Sequence, residues 1–405
     1  MRALILTNEF PPDIYGGAGV HVDELTRHLR ELVELDVRTF GSASTDEPGW
    51  RVRGYPAAHE LDGAPEQLRP VLGALSRDLA MVADPAVADV VHVHTWYTHF
   101  AGLLARAAYG IPLVLTVHSL EPLRPWKREQ LGGGYDVSAW VERTAIETAD
   151  AVVAVSRETR ADVLRLFDVD EERVHVIHNG IDADFYHPDP ATDALERHGI
   201  DPSVPYVLFV GRITRQKGIT HLVRAIRHLD PGIGVVLCAG QPDTPQIAAE
   251  MEGGVAEARA ERSNVVWIGE MVSREAARQL YSHAAVFCCP SVYEPFGIIN
   301  LEAAACQTPV VASAVGGIPE VVVDGETSLL VPVELRADDP MSPIDPDRFE
   351  LNLAGAINAL MKDPASREVM GLAGRRRAVE HFSWAAIARQ TADLYQEVLA
   401  RYAGS

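Results

Sequence analysis

The feature that most constrains the fold is a regular alternation of short apolar runs with amphipathic helical patterns. A first series of apolar runs occupies residues 3–7, 33–37, 90–93, 112–117, 151–155 and 174–177. A second series occupies residues 206–210, 234–239, 264–268, 285–289, 309–313 and 328–332. Such alternation predicts parallel strands with helices on both faces of a sheet. Two series therefore predict two doubly wound, Rossmann-like α/β domains, which also accounts for a chain of 405 residues.

The domain boundaries are predicted from composition and helical periodicity. Residues 183–205 are rich in Pro and Asp, which suits an interdomain linker between an N-terminal domain (1–182) and a C-terminal domain (206–383). A final helical pattern, about 384–405, begins after Ser383 as N-cap. Its apolar side carries Ile387, Leu394 and Val398. We expect this helix to pack back on the first domain.

Charge and cysteine content exclude several classes of protein. The chain has 36 Lys plus Arg against 57 Asp plus Glu, a formal net charge of −21. Such a surface repels nucleic acid and anionic lipid, so we expect neither as a partner. No apolar run approaches the roughly 20 residues of a membrane span. The cysteines, which lack the spacing of a metal site, predict reduced thiols in a cytoplasmic protein. The oligomeric state, including a homodimer, is left open.

The loop and helix after the run at 285–289 form the strongest candidate site. The loop becomes helix near Gly297, where free N–H groups and the helix dipole favour an anion. The expected donors are the N–H groups of Gly297, Ile298 and Ile299. Glu294 and Glu302 bracket this site, and their carboxylates suit sugar hydroxyls. The competing interpretation is a strand, turn and helix with a solvated Glu at each end.

A second candidate loop follows the run at 206–210. It leaves the strand through Gly211 and carries Arg212 and Lys217, five residues apart. Arg offers two parallel donors and Lys a point charge, a combination that suits a diphosphate. Solvated loop charges are the competing interpretation.

Glycines at the first strand–helix junction suggest a further phosphate contact. Gly16 and Gly17 would let the backbone approach a phosphate closely. A tight turn without room for side chains is the alternative. The segment is neither Gly-x-Gly-x-x-Gly nor Gly-x4-Gly-Lys-Ser/Thr. Nicotinamide enzymes and P-loop ATPases are therefore disfavoured.

The run at 90–93 ends in a segment with histidines and aromatic rings. His94, Trp96 and Tyr97 predict a carbohydrate-facing surface, because such rings offer both an apolar face and polar edges. His92 and His94 share one face of the strand, which also suits a metal. No carboxylate partner is evident nearby, so we expect no metal site.

The run at 112–117 is followed by His118, where α/β folds place ligands. A core histidine bonded to a carbonyl is the alternative for this residue. The next loop carries Arg124, Lys127 and Arg128 inside an acidic protein. This cluster predicts a site for a phosphorylated acceptor, and a solvated basic turn is the competing interpretation.

Taken together, these segments resemble the retaining glycosyltransferases of the GT-B fold, in the broad glycogen-synthase-like group. The residues that carry the resemblance are Pro11-Pro12, Gly16-Gly17, Asn179 to Asp182, Gly211 to Gly218, Glu294 to Glu302 and Gly316 to Glu320. Within the group, the loop from His118 to Glu142 is similar to the actinobacterial type of glycogen synthase. The larger bacterial type has Lys-Thr-Gly-Gly and His-Asp-Trp where this chain has Tyr-Gly-Gly and His-Thr-Trp. That departure weakens the expectation of an enzyme that only extends a polymer.

The resemblance implies two domains that face each other across a cleft and close over the donor. It implies retaining transfer of glucose from ADP-glucose or UDP-glucose, making an α-1,4 bond, with no metal and no other cofactor. The expected acceptor is glucose 1-phosphate, giving maltose 1-phosphate, with α-glucan extension as a further activity.

The resemblance also assigns roles to the candidate residues. Arg212 and Lys217 would stabilise the leaving diphosphate, together with the N–H groups that follow Gly297. Glu294 and His118 would contact the donor sugar, and Glu302 the nucleotide ribose. Alternatives are a glycogen synthase that extends glucan only, a related retaining transferase with another small acceptor, and a non-enzymatic nucleotide-sugar binder. The complete set of charged residues disfavours the last.

Overall fold

The computed structural model describes residues 1–14, 16–57, 61, 63–124, 127–128 and 132–404. Contacts divide the chain into two compact units. Unit 1 comprises Met1–Gly180 with Trp384–Ser405, and unit 2 comprises Ile181–Ser383. Each unit has its own sheet with helices packed on it, which confirms the predicted fold class. No helix in the described ranges combines the length and the apolar character needed to cross a membrane.

Unit 1 is built on a sheet in the order β3-β4-β2-β1-β5-β6-β7-β8. Its strands are β1 (Arg2–Thr7), β2 (Glu34–Phe40), β3 (Ser44–Glu47), β4 (Trp50–Tyr55), β5 (Val90–His94), β6 (Leu113–Val117), β7 (Ala151–Ala154) and β8 (Val174–Val176). Its helices are α1 (Gly17–Leu29), α2 (Arg69–Ala83), α3 (Trp96–Tyr109), α4 (Gly134–Thr148) and α5 (Arg157–Leu166). Neighbouring strands are parallel, except that β3 pairs antiparallel with β4.

Strands β3 and β4 were not predicted from the sequence. β4 alternates buried residues such as Val52 with arginines, and β3 is a polar edge strand of Ser, Thr, Asp and Glu. Neither forms a continuous apolar run, because only strands buried on both faces have that signature.

The C-terminal helix of the chain belongs to unit 1, as the apolar pattern predicted. It spans Trp384–Tyr402 and packs against α1. Ile387, Leu394 and Val398 are buried in one core with Val22 of α1. Burial of this stripe removes apolar surface from water, which is the main stabilising term for a surface helix.

Unit 2 is built on a parallel sheet in the order β11-β10-β9-β12-β13-β14. Its strands are β9 (Tyr206–Ile213), β10 (Gly234–Pro242), β11 (Val265–Ile268), β12 (Val286–Cys289), β13 (Val310–Ser313) and β14 (Ser328–Val331). Its helices are α6 (Asp193–Arg197), α7 (Ile219–Ala225), α8 (Pro245–Glu261), α9 (Arg274–His283), α10 (Ile298–Ala305), α11 (Ile318–Val321), α12 (Pro346–Lys362) and α13 (Pro364–His381); the helix Trp384–Tyr402 is α14. The segment predicted as a linker, 183–205, lies in unit 2, where α6 packs against α9.

Candidate active site

The candidate residues of unit 2 follow two adjacent central strands. β9 pairs with β12, and from this pair the strand order runs outwards in both directions. In open α/β sheets, ligands bind at the carboxyl ends of strands where the order reverses in this way. The loops that leave β9 and β12 therefore emerge side by side at the ligand-binding edge of unit 2.

These two loops are joined by backbone contacts. The N–H of Val292 donates to the carbonyl of Gln216 at 2.9 Å. Gly218, which precedes α7, has a φ of +63°, and a Cβ there would lie 1.9 Å from the carbonyl oxygen of Pro290. Only glycine permits this approach, because any side chain would push the loops apart.

The joined loops place Lys217 against Glu294. The Lys217 ammonium lies 2.6 Å from Oε2 of Glu294, and both side chains are largely buried. The Ser291 hydroxyl donates to the same carboxylate oxygen at 3.2 Å. Lys217 is predicted to bind a diphosphate and Glu294 a sugar, whereas the ion pair between them is visible only in the structure. An ammonium has three protons, so a bond to Glu294 leaves donors for a phosphate.

Arg212 lies near the carboxyl end of β9, not on the loop as predicted, and it faces Asp243, a carboxylate that no sequence motif marked. Its guanidinium is 3.5 Å from Asp243, and about a third of the arginine side chain is exposed. The exposed part of Arg212 remains accessible to an anionic ligand.

The helix N-terminus predicted as an anion site is present. α10 follows Gly297, whose φ is +100°. Gly316 and Gly317 pack closely against the loop that precedes α10. The N–H of Gly317 donates to the carbonyl of Glu294 at 2.9 Å, and a Cβ on Gly316 would lie 2.0 Å from the same oxygen. Ile298 and Ile299 form the first turn of α10, at the positive end of its dipole.

Glu302 is held by two tyrosines that no sequence motif marks as site residues. Its Oε1 accepts from the Tyr186 hydroxyl at 3.0 Å, and its Oε2 accepts from the Tyr281 hydroxyl at 2.9 Å. Burial raises the pKa of Glu302, and the two hydroxyl donors oppose that rise because they favour the ionised form. The carboxylate is thus fixed in orientation, with one hydroxyl on each oxygen.

In unit 1, the glycine loop after β1 already binds a carboxylate. The N–H of Gly16 donates to Oε2 of Glu9 at 2.7 Å. Among the described residues, no atom beyond its chain neighbours and its own helix backbone lies within 4 Å of a Cβ built on Gly17. A donor phosphate at the Gly16 N–H would have to displace Glu9, a competitor that the sequence analysis did not consider.

His118 follows β6, is partly buried, and lies against buried histidines that include His94 at the end of β5. Its Nε2 is 3.1 Å from Nδ1 of His94. His21 of α1, which the sequence analysis missed, lies with its ring centroid 4.7 Å from that of His118. His92 is engaged separately, with Tyr395 of α14 at 2.6 Å and Thr116 at 2.7 Å.

Burial keeps these histidines neutral at ordinary pH. Loss of hydration lowers the pKa of His21 to about 4 and that of His92 to about 3. The pKa values of His94 and His118 are also well below the usual range, first through burial and then through neighbouring histidines. At neutral pH, each ring therefore presents one N–H donor and one lone pair.

Two of the three residues predicted to form a sugar-stacking surface are buried in the structure. Trp96 is 5% exposed and packs with Val71, Ala74 and Tyr135, so its ring belongs to the core. Tyr97 stacks on Trp96 with ring centroids 4.1 Å apart and is only partly buried. His94 is fully buried. Of the three residues, only Tyr97 offers side-chain surface.

The basic loop after His118 is internally paired. Arg124 lies 3.3 Å from the buried carboxylate of Glu121, whereas Arg128 pairs with exposed Asp136 at 2.6 Å. Lys127 is described, but residues 125, 126 and 129–131 lie outside the described part of the loop. Arg124 therefore anchors the loop, while the exposed Arg128 pair leaves its guanidinium accessible to an anion.

Buried carboxylates fix the start of this loop. The N–H of Glu121 donates to Glu142 at 2.8 Å, and Ser138 donates to the Glu121 carboxylate at 2.9 Å. Burial, followed by the Glu121 carboxylate, raises the pKa of Glu142 well above its usual range. These contacts hold the loop against α4.

Comparison with known proteins covers both units. The family described as Glycosyltransferase Family 4 matches residues 15–185, and the family described as Glycosyl transferases group 1 matches residues 191–377. An alpha-maltose-1-phosphate synthase of Mycolicibacterium smegmatis is 51% identical over 408 residues, covering 99% of this chain and 100% of that protein. A D-inositol 3-phosphate glycosyltransferase of Xylanimonas cellulosilytica is 32% identical, covering 95% of this chain and 93% of that protein.

A solved structure shows the same fold. Sucrose-phosphate synthase from Thermosynechococcus elongatus superposes with a TM-score of 0.79 at 28% identity, covering 99% of this chain and 100% of that chain. The similarity in sequence and the similarity in structure thus extend over nearly the whole length. The chain belongs to the glycosyltransferases of the GT-B fold.

Proposed function

We propose that this glycosyltransferase transfers glucose, with retention, from ADP-glucose or UDP-glucose to glucose 1-phosphate, giving maltose 1-phosphate. The observation that carries the proposal is the Lys217–Glu294 pair at the carboxyl ends of β9 and β12. It puts a cation suited to a phosphate beside a carboxylate suited to sugar hydroxyls. The acceptor is inferred from the relative at 51% identity, which is named alpha-maltose-1-phosphate synthase.

In the proposed reaction, the bond between glucose C1 and the diphosphate oxygen breaks as the acceptor hydroxyl oxygen bonds to C1. Both events take place on the same face of the sugar, which retains its configuration. The acceptor hydroxyl gives its proton to the departing phosphate oxygen, so no protein nucleophile is needed. Arg212, Lys217 and the first N–H groups of α10 stabilise the charge that grows on the diphosphate.

Other residues position the donor. Lys217 and Ser291 both contact Oε2 of Glu294, which leaves Oε1 to accept from a sugar hydroxyl. Glu302, oriented by Tyr186 and Tyr281, accepts from the ribose. In unit 1, His118 contacts the sugar, and Lys127 and Arg128 bind the phosphate of the acceptor.

We expect transfer to proceed without a divalent metal. The leaving diphosphate is stabilised in this proposal by side-chain cations and helix N–H groups, which supply the charge that Mg²⁺ or Mn²⁺ supplies elsewhere. Initial rates measured with and without excess EDTA should therefore be nearly equal. A rate that falls to background in EDTA and returns on titration with Mn²⁺ or Mg²⁺ would contradict the proposed mechanism.

Neutralising the basic loop should weaken binding of the phosphorylated acceptor. In the double variant Lys127→Gln/Arg128→Gln, we expect KM for glucose 1-phosphate to rise at least about tenfold, because a charged contact is lost. Rates with glycogen or maltose should change far less, since neither carries an anion. The measurement is steady-state kinetics with each acceptor at saturating donor.

Two further variants sharpen this test. Asp136→Asn removes the carboxylate that pairs with Arg128, so KM for glucose 1-phosphate should fall. Arg143→Gln removes an exposed, paired arginine from α4 and should leave KM unchanged. Equal losses on charged and uncharged acceptors, or no loss on either, would assign the loop to a solvated turn.

The relatives favour a second candidate acceptor. The relative at 32% identity is named D-inositol 3-phosphate glycosyltransferase, which also suggests a small phosphorylated acceptor. Mass analysis of products from ADP-glucose or UDP-glucose, with glucose 1-phosphate, inositol 3-phosphate or glycogen, distinguishes the possibilities. A disaccharide phosphate supports the proposal, an inositol product supports the second candidate, and extension of glycogen alone excludes both.

A further inference from the structure

Three histidines from separate elements of unit 1 converge on one point. His21 comes from α1, His94 from the end of β5, and His118 from the loop after β6. One ring nitrogen of each residue lies within 4.8 Å of those of the other two. Within the described ranges, this is the one group of three or more potential metal ligands so arranged.

The tautomer of His21 is set by Asn179. Nδ1 of His21 lies 2.6 Å from the amide oxygen of Asn179. An amide oxygen only accepts, so Nδ1 must carry the proton and Nε2 must hold a lone pair. That Nε2 has no hydrogen-bond partner among the described residues, although the side chain is only 2% exposed. A buried acceptor without a partner is costly unless a ligand fills it.

His94 presents a second unfilled nitrogen. Its Nδ1 shares a hydrogen bond with Nε2 of His118, but its own Nε2 has no partner in the described structure and the side chain is fully buried. His92 is excluded from the group, because both of its ring nitrogens are already bonded, to Tyr395 and Thr116. The sequence pattern His92-x-His94 therefore does not identify the ligands.

We propose that His21, His94 and His118 form a binding site for Zn²⁺. Three imidazoles with one open position are a known ligand set for this ion. The cluster contains no carboxylate, so it disfavours Mg²⁺ and Ca²⁺, which require oxygen ligands. Asn179 supplies the acceptor that commonly orients a metal-bound histidine from behind.

Binding requires small movements of the side chains. Zn–N bonds of about 2.0–2.1 Å bring tetrahedral ligands closer together than the present limit of 4.8 Å. Rotation of the imidazole rings supplies the difference. Binding through the unpartnered Nε2 of His94 breaks the hydrogen bond between Nδ1 of His94 and Nε2 of His118, which frees the His118 nitrogen for the metal, and the open position takes a water molecule.

Occupancy of this site inhibits glucosyl transfer. This consequence rests on the proposed function, because His118 is the residue proposed to contact the donor sugar. A metal bound there removes that contact. Zn²⁺ is thus an inhibitor and not a cofactor. The transfer rate is therefore expected to be unchanged by EDTA when the protein has been prepared without zinc.

Equilibrium dialysis of metal-free protein against Zn²⁺, with metal measured by mass spectrometry, tests the site without substrate. We expect one ion per chain and at least about 100-fold weaker binding in His21→Ala. Asn179→Ala should weaken binding about tenfold, the usual effect of losing such an orienting contact. His198→Ala removes a histidine of unit 2 and should change nothing. Co²⁺ bound at the site should show visible absorption bands that His21→Ala abolishes.

Equal affinity in the wild type and His21→Ala, or no bound ion, would overturn the site. If circular dichroism shows that His21→Ala is misfolded, His21→Gln replaces it in the same comparison. Zn²⁺ titrated into the transfer assay should inhibit with the affinity found by dialysis, and binding without inhibition refutes the inhibitory role. A chain that binds Zn²⁺ but transfers glucose to no acceptor refutes the proposed function and leaves the site intact.

Discussion

Replacing Lys217 with alanine should lower turnover several-hundred-fold while the protein remains folded. The Lys217 ammonium is held 2.6 Å from Glu294 at the carboxyl ends of β9 and β12. If it stabilises charge on the leaving diphosphate, its loss removes about 3–4 kcal/mol of transition-state stabilisation. Arg212→Ala should have a similar effect. Turnover at saturating substrates, together with circular dichroism, provides the measurement.

The Lys217 variant also leaves the buried Glu294 carboxylate without its cation, so two effects must be separated. Glu294→Gln removes that charge. If Lys217 acted only by holding Glu294, adding Lys217→Ala to Glu294→Gln would cause no further loss. We expect a further loss, because the cation also acts on the diphosphate.

A control lies on the same loop. Arg215 pairs with Glu250, and its side chain is 53% exposed, so Arg215→Ala should keep nearly normal turnover. Wild-type rates in both Lys217→Ala and Arg212→Ala would remove these residues from the mechanism. A collapse in Arg215→Ala as well would indicate that the loop, rather than its cations, had been disturbed.

Continuous apolar runs predicted the strands of both sheets where burial is complete on both faces. Examples are β6 and β12, in which every residue is buried. β3 and β4 were not predicted, because many of their residues are polar and partly exposed, so neither strand forms a continuous apolar run. The C-terminal helix was predictable because an apolar stripe of Ile387, Leu394 and Val398 requires a partner surface.

The placement of candidate residues at strand ends was more predictable than the pairs that they form. The rule that ligands meet strand carboxyl ends selected Lys217 and Glu294, but their ion pair depends on two loops meeting in space. Arg124 was assigned to the acceptor from charge alone, and its buried partner Glu121 shows how a short turn satisfies that charge locally. The spacing of residues along the sequence does not show which side chains meet in space.

His21 illustrates a signal that was present in the sequence. It lies on α1 one turn before Leu25, so it shares the buried face of an amphipathic helix. A polar side chain on such a face needs a partner, and Asn179 is that partner. The convergence with His94 and His118 is a property of the fold, because the three residues come from separate elements.

Gly218→Ala should destabilise unit 2 and abolish most activity. The φ of +63° costs an alanine about 1–2 kcal/mol. Its Cβ would also lie 1.9 Å from the carbonyl oxygen of Pro290, a backbone atom that cannot rotate away. Relieving the overlap must separate the loop of Lys217 from the loop of Glu294, at a further cost of about 1–3 kcal/mol.

Gly199→Ala is the matched control, because Gly199 lies in the same unit with a φ of +67°, and no atom of the described residues lies within 4 Å of a Cβ built there. Urea unfolding should show the backbone strain in both variants and the additional loss only in Gly218→Ala. Turnover should fall at least about 100-fold in Gly218→Ala and stay near normal in Gly199→Ala. Equal stability and equal turnover in the two variants would mean that the loops tolerate separation, and the Lys217–Glu294 pair would then not require the close approach that glycine provides.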